Sequence, residues 1–255
     1  MAAIPTLLSV LIVSIASLAG IALLGLRERT LRLVLLELVA FSVGALLGDV
    51  FLHIFPEIAE SVGFSLGISI AVLVGILFGF ATEKFIHWHH CHGNEEHCHD
   101  AHDHHHHAKP YATLNIIGDG VHNFIDGIII AAAYLASLPV GLATTVAVLL
   151  HEIPQELGDY AVLIHAGWSR AKALGMNLLT ALTAIVGAVL TLLLGPSVEG
   201  LVPFLLAFAA GTFLYLATTD LIPELHKETR VARSAAQFVA ILAGIAVMGL
   251  LLVTG

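Results

Sequence analysis

Residues 173–195 read ALGMNLLTALTAIVGAVLTLLLG and contain no charged side chain. A transmembrane helix needs about 20 consecutive apolar residues, so this segment is long enough to cross a bilayer. The rest of the chain agrees, because 58% of its 255 residues are hydrophobic and 11% are charged, whereas soluble domains carry about 25% charged residues. The sequence therefore predicts an all-α, polytopic membrane protein. A net charge of −9 leaves no basic patch for nucleic acid.

Hydropathy divides the whole chain into eight such segments. The predicted spans cover roughly residues 5–26, 33–55, 62–86, 112–135, 140–164, 173–195, 200–222 and 234–253. The first segment has no positively charged residues before it, so we interpret it as a retained helix and not as a cleaved signal peptide.

The positive charges lie in alternate loops. All ten Lys and Arg fall between spans 1 and 2, 3 and 4, 5 and 6, or 7 and 8: Arg27, Arg29, Arg32, Lys84, Lys109, Arg170, Lys172, Lys227, Arg230 and Arg233. Because positive loops face the cytoplasm, we expect these four loops inside and both termini outside. The expected location is the cell membrane, inner or plasma.

Two segments resemble each other. Residues 41–57 (FSVGALLGDVFLHIFPE) and 208–224 (FAAGTFLYLATTDLIPE) share five of 17 positions without gaps, and His53 aligns with Asp220. Span 2 runs outward and span 7 inward, as in transporters built from inverted repeats. Spans 1–3 are then mirrored by spans 6–8 around a central pair, a 3+2+3 arrangement; chance similarity between Leu-rich helices is the alternative.

Spans 4 and 5 carry ionisable residues near the bilayer midplane, in DGVHNFIDG (119–127) and HEIPQELGD (151–159). The polar members are Asp119, His122, Asn123, Asp126, His151, Glu152, Gln155, Glu156 and Asp159. Such residues are costly inside a membrane and indicate function.

Helical spacing pairs these side chains on shared faces. His122 with Asp126, His151 with Gln155, and Glu152 with Glu156 are each four residues apart. Imidazole, carboxylate and amide ligands without sulfur suit Zn²⁺, Fe²⁺, Mn²⁺ or Co²⁺ and are poor for Cu⁺. The pattern predicts a site for one metal ion or two adjacent ones.

These residues also allow three interpretations other than a metal site. Hydrogen bonds that join the helices contribute only about 0.6 kcal/mol each, too little for so many buried acids. A metal-free proton relay is the second alternative. The third is an intramembrane hydrolase, because HEIPQ resembles the HExxH zinc-protease helix; Gln155 stands where that motif has its second His.

HNFIDG (122–127) and HEIPQELGD (151–159) resemble the signature helices of the ZIP family of zinc and iron transporters, close to its LIV-1 branch. The resemblance implies eight spans in a 3+2+3 plan and uptake of a divalent metal, zinc above all and also Fe²⁺, Mn²⁺ or Cd²⁺, toward the cytoplasm. It implies motion of one helical bundle against another. The implied partners are metal ions and the bilayer, with a second copy of the chain as a candidate.

The metal-site positions that match the family are His122, Asn123, Asp126, His151, Glu152 and Gln155. The LIV-1 pattern usually has His where Gln155 stands, and Glu156 is the residue that could compensate for it. The resemblance also suggests a metal pathway near polar residues of spans 2 and 7, for which Asp49, His53 and Asp220 are the candidates, with Asp119 and Asp159 beside the site.

The loop between spans 3 and 4 is rich in histidine. Residues 87–107 hold 11 of the 16 His, and this composition is typical of disordered metal capture. The candidate ligands are His87, His89, His90, Cys91, His92, His97, Cys98, His99, His102, His104, His105, His106 and His107. A plain polar linker is the alternative. The chain thus divides into residues 1–86, the loop 87–110, the central pair 111–165 and residues 166–255.

Overall fold

A computed structural model describes residues 2–18, 28–92, 110–198 and 200–254 of the chain, without the side chains of some helical residues, Asp220 among them. Every regular element in these ranges is helical, and no strand occurs in them. Helices satisfy their own backbone hydrogen bonds, as a chain in lipid requires. The all-α prediction is therefore confirmed for this part of the chain.

The helices are numbered along the chain. They are α1 (Ala3–Ala16), α2 (Glu28–Asp49), α3 (Phe55–Ser61), α4 (Leu66–His92), α5 (Pro110–Ala136), α6 (Leu138–His165), α7 (Arg170–Ala181), α8 (Thr183–Leu194), α9 (Leu201–Tyr215), α10 (Ile222–Leu225) and α11 (Val231–Thr254). A π-helical turn, Val50–Ile54, joins α2 to α3, and a second, Leu216–Leu221, joins α9 to α10.

Several helical stretches have the length and composition of membrane spans. Five of them, within the residues described, are long and apolar enough: Leu35–Ser61, Asn115–Ala136, Arg170–Ser197, Leu201–Leu225 and Val231–Leu252. Two further apolar helices are shorter, Ala3–Ala16 and Leu66–Thr82. On α11 the side chains of Phe238 and Val239 are 61% and 63% exposed, as expected of a helix that faces lipid. The protein is therefore polytopic, while the total of eight spans stays a prediction.

The end of α4 is one of the helix boundaries that differ from the sequence-based expectation. Helix α4 ends at His92, six residues beyond the predicted end of span 3, so the first five candidate ligands of the histidine-rich loop lie on a helix. The helix can extend beyond the apolar segment because its backbone hydrogen bonds form whatever the polarity of its side chains. The other eight candidate ligands, from His97 to His107, lie outside the described residues.

The two segments predicted to be repeats share local structure. Each π-helical turn comes at the same place in its copy and is followed by Pro-Glu, which is Pro56-Glu57 after the first turn and Pro223-Glu224 after the second. A π-helical turn is rare and is often found at functional sites. The two segments therefore share this local structure as well as the five identical residues.

Close glycine contacts join α2 to α11. A Cβ atom on Gly44 would lie 2.0 Å from the carbonyl oxygen of Ile241, and one on Gly244 would lie 2.3 Å from that of Phe41. Small residues let helix backbones approach in lipid, where packing takes over from the hydrophobic effect. No larger side chain fits at either position without moving a backbone.

The contact between α4 and α9 is built in the same way. A Cβ atom on Gly75 would lie 2.2 Å from the carbonyl oxygen of Phe208, and one on Gly211 would lie 2.1 Å from that of Val72. Gly211 and Phe208 align with Gly44 and Phe41 of the other copy. The two predicted repeat copies therefore use equivalent atoms to pack against their neighbours.

Helices α5 and α6 lie between these packed pairs. Helix α5 packs on α6, α8 and α9, while α6 packs on α5, α2 and α1. Helix α6 runs without interruption through Pro154. The predicted central pair is thus in contact with both repeat copies, and this places its polar residues inside the protein.

Candidate metal centre

Four side chains of α5 and α6 converge at one point. They are His122 and Asp126 of α5 and His151 and Glu152 of α6, and one ligand atom from each lies within 4.8 Å of the other three. The i,i+4 spacing of His122 and Asp126 puts them on one face of α5. His151 and Glu152 meet that face from the neighbouring helix.

Five distances within this group are close to the edges of a zinc tetrahedron. His122 Nε2 lies 3.2 Å from Glu152 Oε1, 3.5 Å from Asp126 Oδ2 and 3.3 Å from His151 Nε2. His151 Nε2 lies 3.2 Å from Asp126 Oδ2 and 3.7 Å from Glu152 Oε1. Zinc bonds of about 2.0 to 2.1 Å give a tetrahedron with edges of about 3.3 to 3.4 Å. The two imidazole nitrogens are therefore separated from each other and from the two carboxylate oxygens by distances near those between zinc ligands.

Hydrogen bonding orients one imidazole of the group. His151 Nδ1 lies 3.1 Å from the carbonyl oxygen of Ala147, one turn back on α6. A backbone carbonyl can only accept, so a neutral His151 that donates to it from Nδ1 has its lone pair on Nε2, the nitrogen that lies nearest to Asp126 Oδ2 and His122 Nε2. Metal-ligating histidines are oriented by such bonds.

Burial distinguishes the four ligands. The side chains of His151 and Glu152 are 1% exposed and that of Asp126 is 2% exposed, whereas His122 is 26% exposed. Asp126 Oδ2 and Glu152 Oε1 receive no hydrogen bond. Buried carboxylates without donors are costly unless a cation neutralises them. This environment favours an ion between the four ligand atoms, with access from the His122 side.

A cavity of about 500 Å³ leads away from this group. His122, Asp126, His151 and Gln155 line it, and so does Glu224 of α10. The side chain of Glu224 is 47% exposed and bonded to Lys227. The cavity therefore extends from the candidate ligands to the C-terminal end of α10, where the basic residues Lys227, Arg230 and Arg233 follow in the sequence.

The remaining predicted ligands lie around the group of four. Gln155 is half-buried and lines the cavity. Glu156 is 1% exposed, and neither of its carboxylate oxygens receives a hydrogen bond. Asn123 is fully buried; its Nδ2 donates to Asp119 Oδ1 at 2.8 Å, and its Oδ1 has no hydrogen-bond partner. Of the seven predicted ligands, four converge and three lie beside them.

Polar residues that the sequence analysis did not single out support these acids. Thr180 Oγ1 donates to Asp119 Oδ2 at 2.5 Å, and Asn115 Nδ2 donates to Asp159 Oδ1 at 3.0 Å. Asn177 of α7 donates to the backbone carbonyl of Glu156 at 2.9 Å. Asn115 and Asn177 are amides in apolar segments, and that pattern could have drawn attention to them.

A second polar group lies on α2 and its π-helical turn. Asp49 is fully buried and accepts a hydrogen bond of 2.9 Å from Thr144 of α6. His53 is 2% exposed, with Nδ1 3.8 Å from Asp49 Oδ1. His53 is therefore buried inside the protein. The backbone of Asp220 lies in the aligned π-helical turn.

Comparison with known proteins identifies the family. The family profile described as ZIP Zinc transporter matches residues 3–110 and 89–252. The chain therefore belongs to the ZIP family, and the resemblance of its two signature segments is confirmed. The profile describes a transporter and not an enzyme, in agreement with the sequence-based expectation.

Individual relatives have names of the same kind. Zinc transporter ZIP13 of Pongo abelii is 32% identical over 226 residues, which cover 83% of this chain and 65% of that protein. Zinc transporter zipt-7.1 of Caenorhabditis briggsae is 40% identical over 152 residues, 55% of this chain and 39% of that protein. Zinc transporter ZIP4 of Homo sapiens is 49% identical over 111 residues, 44% of this chain and 17% of that protein. The chain thus matches less than two thirds of the length of each.

Proposed function

We propose that this protein transports a divalent metal ion across a membrane, with zinc as the principal cargo and Fe²⁺, Mn²⁺ and Cd²⁺ as further candidates. One observation carries the proposal: two imidazole nitrogens and two carboxylate oxygens lie within 4.8 Å of one another, and three of these four residues, His122, Asp126 and His151, line a cavity. The metal is cargo because His122 is partly exposed, which leaves the site open to exchange.

The charge of the ligand set suits transport. Two neutral imidazoles and two carboxylates carry two negative charges, which a divalent cation balances. A loaded site of zero net charge has a smaller desolvation penalty than an unbalanced one. Nitrogen and oxygen ligands without thiolate also bind borderline ions less tightly than sulfur sites, so release is feasible.

The proposed direction is into the cytoplasm, through a 3+2+3 arrangement of eight spans. The cavity reaches Glu224, next to the segment that carries Lys227, Arg230 and Arg233, and positive residues favour the cytoplasmic side. The shared π-helical turns and glycine contacts of the two copies support the inverted repeat. In this orientation the histidine-rich loop is cytoplasmic, both ends of the described chain lie on the outer side, and the cavity is open to the inside.

The proposed site holds a second ion beside the first. Asn123 Oδ1 and both oxygens of Glu156 are buried without hydrogen-bond partners, and oxygen atoms of this kind are suitable metal ligands. Gln155 and the bridging carboxylate Glu152 would complete this position. Anomalous diffraction at the zinc edge tests it, with two peaks expected and a single peak against it.

The proposed pathway uses the polar groups outside the site. Asp49 and His53 lie on α2 and its π-helical turn, Asp119 and Asp159 lie next to the site, and Asp220 is in the aligned turn of the other copy. Each is an ionisable residue in a predicted span, where a functional role is the usual explanation. The histidine-rich loop would capture metal weakly on the release side and regulate transport.

Zinc uptake into proteoliposomes tests the proposal. We expect uptake by the parent chain and its loss in Asp126→Asn, which keeps the side-chain shape but removes one ligand charge. His226→Ala is the control, because His226 is exposed and outside the site. Uptake by Asp126→Asn at the parent rate contradicts the site. Lipid or peptide cleavage without uptake would instead support the intramembrane hydrolase.

A further inference from the structure

A proline removes one hydrogen bond from α6 beside the candidate metal ligands. Pro154 has no N–H group, so the carbonyl of Leu150, four residues earlier, has no backbone donor in the helix. Leu150 directly precedes His151. An unpaired carbonyl in a membrane is costly, and it lies in the turn that presents this imidazole.

A serine of another helix satisfies that carbonyl. Ser42 of α2 is fully buried, and its Oγ donates to the Leu150 carbonyl oxygen at 2.7 Å. The same Oγ lies 2.8 Å from the carbonyl oxygen of Leu38 on its own helix. A hydroxyl has one proton to donate, so Ser42 bonds to one of these acceptors at a time.

We propose that Ser42 is a positioning residue for His151: its hydroxyl replaces the backbone donor that Pro154 lacks and fixes the turn of α6 that carries the ligand. This proposal rests on the proposed function, since it assigns a role toward the metal. Because Leu38 is an alternative acceptor, the hydroxyl keeps a partner when α2 and α6 move relative to each other. Ser42 is then a reversible contact between a repeat copy and the central pair.

Zinc affinity in detergent, measured by calorimetry, is the first test. We expect Ser42→Ala to weaken binding about tenfold, the lower range for loss of a group that orients a metal ligand, and Ser42→Thr to restore it because the hydroxyl returns. Ser14→Ala is the matched control: Ser14 is also buried and donates to a carbonyl of another helix, that of Ala181, at 2.8 Å. We expect its affinity to equal that of the parent.

A double-mutant cycle with Pro154→Ala is the sharper test. Alanine restores the N–H that pairs with Leu150, so Ser42→Ala should weaken zinc affinity in the parent background and have no effect in the Pro154→Ala background. If Ser42→Ala alone does not fold, recovery of the folded protein in the double variant supports the same role. The unfolding temperatures of the same four proteins are measured without zinc, so that the coupling between Ser42 and Pro154 is also obtained from stability alone.

Three outcomes overturn the proposal. They are parent-like affinity in Ser42→Ala, an equal loss in Ser14→Ala, and a Ser42→Ala effect of the same size with and without Pro154. Failure of the proposed function looks different: the parent would then not bind zinc at all, and the stability cycle between Ser42 and Pro154 would still report whether the serine replaces the missing donor.

Discussion

Removal of His151 should weaken zinc binding strongly. The structure places Nε2 of this residue 3.2 Å from Asp126 Oδ2 and 3.3 Å from His122 Nε2, at one corner of the tetrahedron. Structural zinc sites in zinc-finger peptides, whose ligands include thiolates, bind with about 10 to 16 kcal/mol, or about 3 kcal/mol for each of four ligands. Nitrogen and oxygen ligands bind zinc less tightly than thiolates, so His151→Ala is expected to lower zinc affinity by up to about a hundredfold.

The two histidines should not be equivalent. The side chain of His151 is 1% exposed and that of His122 is 26% exposed. A water molecule from the cavity can therefore replace the imidazole at position 122 more easily than at position 151. We expect His122→Ala to lose less affinity than His151→Ala, by about tenfold, or about 1.4 kcal/mol.

Isothermal titration with zinc in detergent measures both differences, and thermal unfolding without zinc shows whether each variant is intact. His226→Ala is the matched control, because it removes an exposed imidazole outside the site. Parent-like affinity in His151→Ala would refute the ligand assignment. A larger loss in His122→Ala than in His151→Ala would refute the argument from burial.

Further predictions follow from the same geometry. Gln155→His should tighten zinc binding and shift metal preference toward zinc, because an imidazole replaces a neutral amide at the cavity wall. Identical metal-competition curves for the variant and the parent would exclude Gln155 as a ligand. Deletion of residues 91–107 should leave uptake active and alter its dependence on cytoplasmic zinc, whereas complete loss of uptake with normal insertion would make the loop part of the pathway. Equilibrium zinc affinity should fall as the pH is lowered from about 7 to about 5, because protons and the metal ion compete for the same lone pairs of the ligands. An affinity that stays flat would exclude His122 and His151 and leave the carboxylates as the only ligands. Gly44→Ala should lower the free energy of unfolding by about 1 to 3 kcal/mol, because its Cβ would lie 2.0 Å from a backbone oxygen. Gly158→Ala is the control and should not destabilise the fold, since its Cβ would have no atom within 4 Å. Equal unfolding temperatures of the two variants would contradict the close contact at Gly44.

The convergence of the two signature helices was predictable from the sequence. His122 and Asp126 share a face by helical spacing, and His151 and Glu152 are adjacent in a segment too polar for lipid. The sequence could not show which carboxylate of α6 completes the group. Glu152 and Glu156 are on one face, and only the packing of α6 against α5 and α7 separates the ligand from its neighbour.

The role of Ser42 and the π-helical turns could not be predicted from the sequence. Ser42 is a small residue on an apolar helix, and such residues are common in membrane proteins for packing alone. Its bond to Leu150 exists because α2 crosses α6 at that turn. The π-helical turns were also not predictable, because hydropathy is the same for α-helical and π-helical backbone.

The glycine contacts of α2 with α11 and of α4 with α9 predict which cross-links between helices would affect transport and which would not. At Gly44 and Gly244, and at Gly75 and Gly211, the two helix backbones are in direct contact with no side chain between them. The helices of each pair are therefore expected to move together, and a covalent cross-link between them should not restrict any motion. A cross-link between α2 and α6 joins surfaces that meet through side chains such as Ser42. The proposed role of Ser42 includes motion of α2 relative to α6. A cross-link of the first kind should therefore leave the rate of metal uptake unchanged, and a cross-link between α2 and α6 should stop uptake.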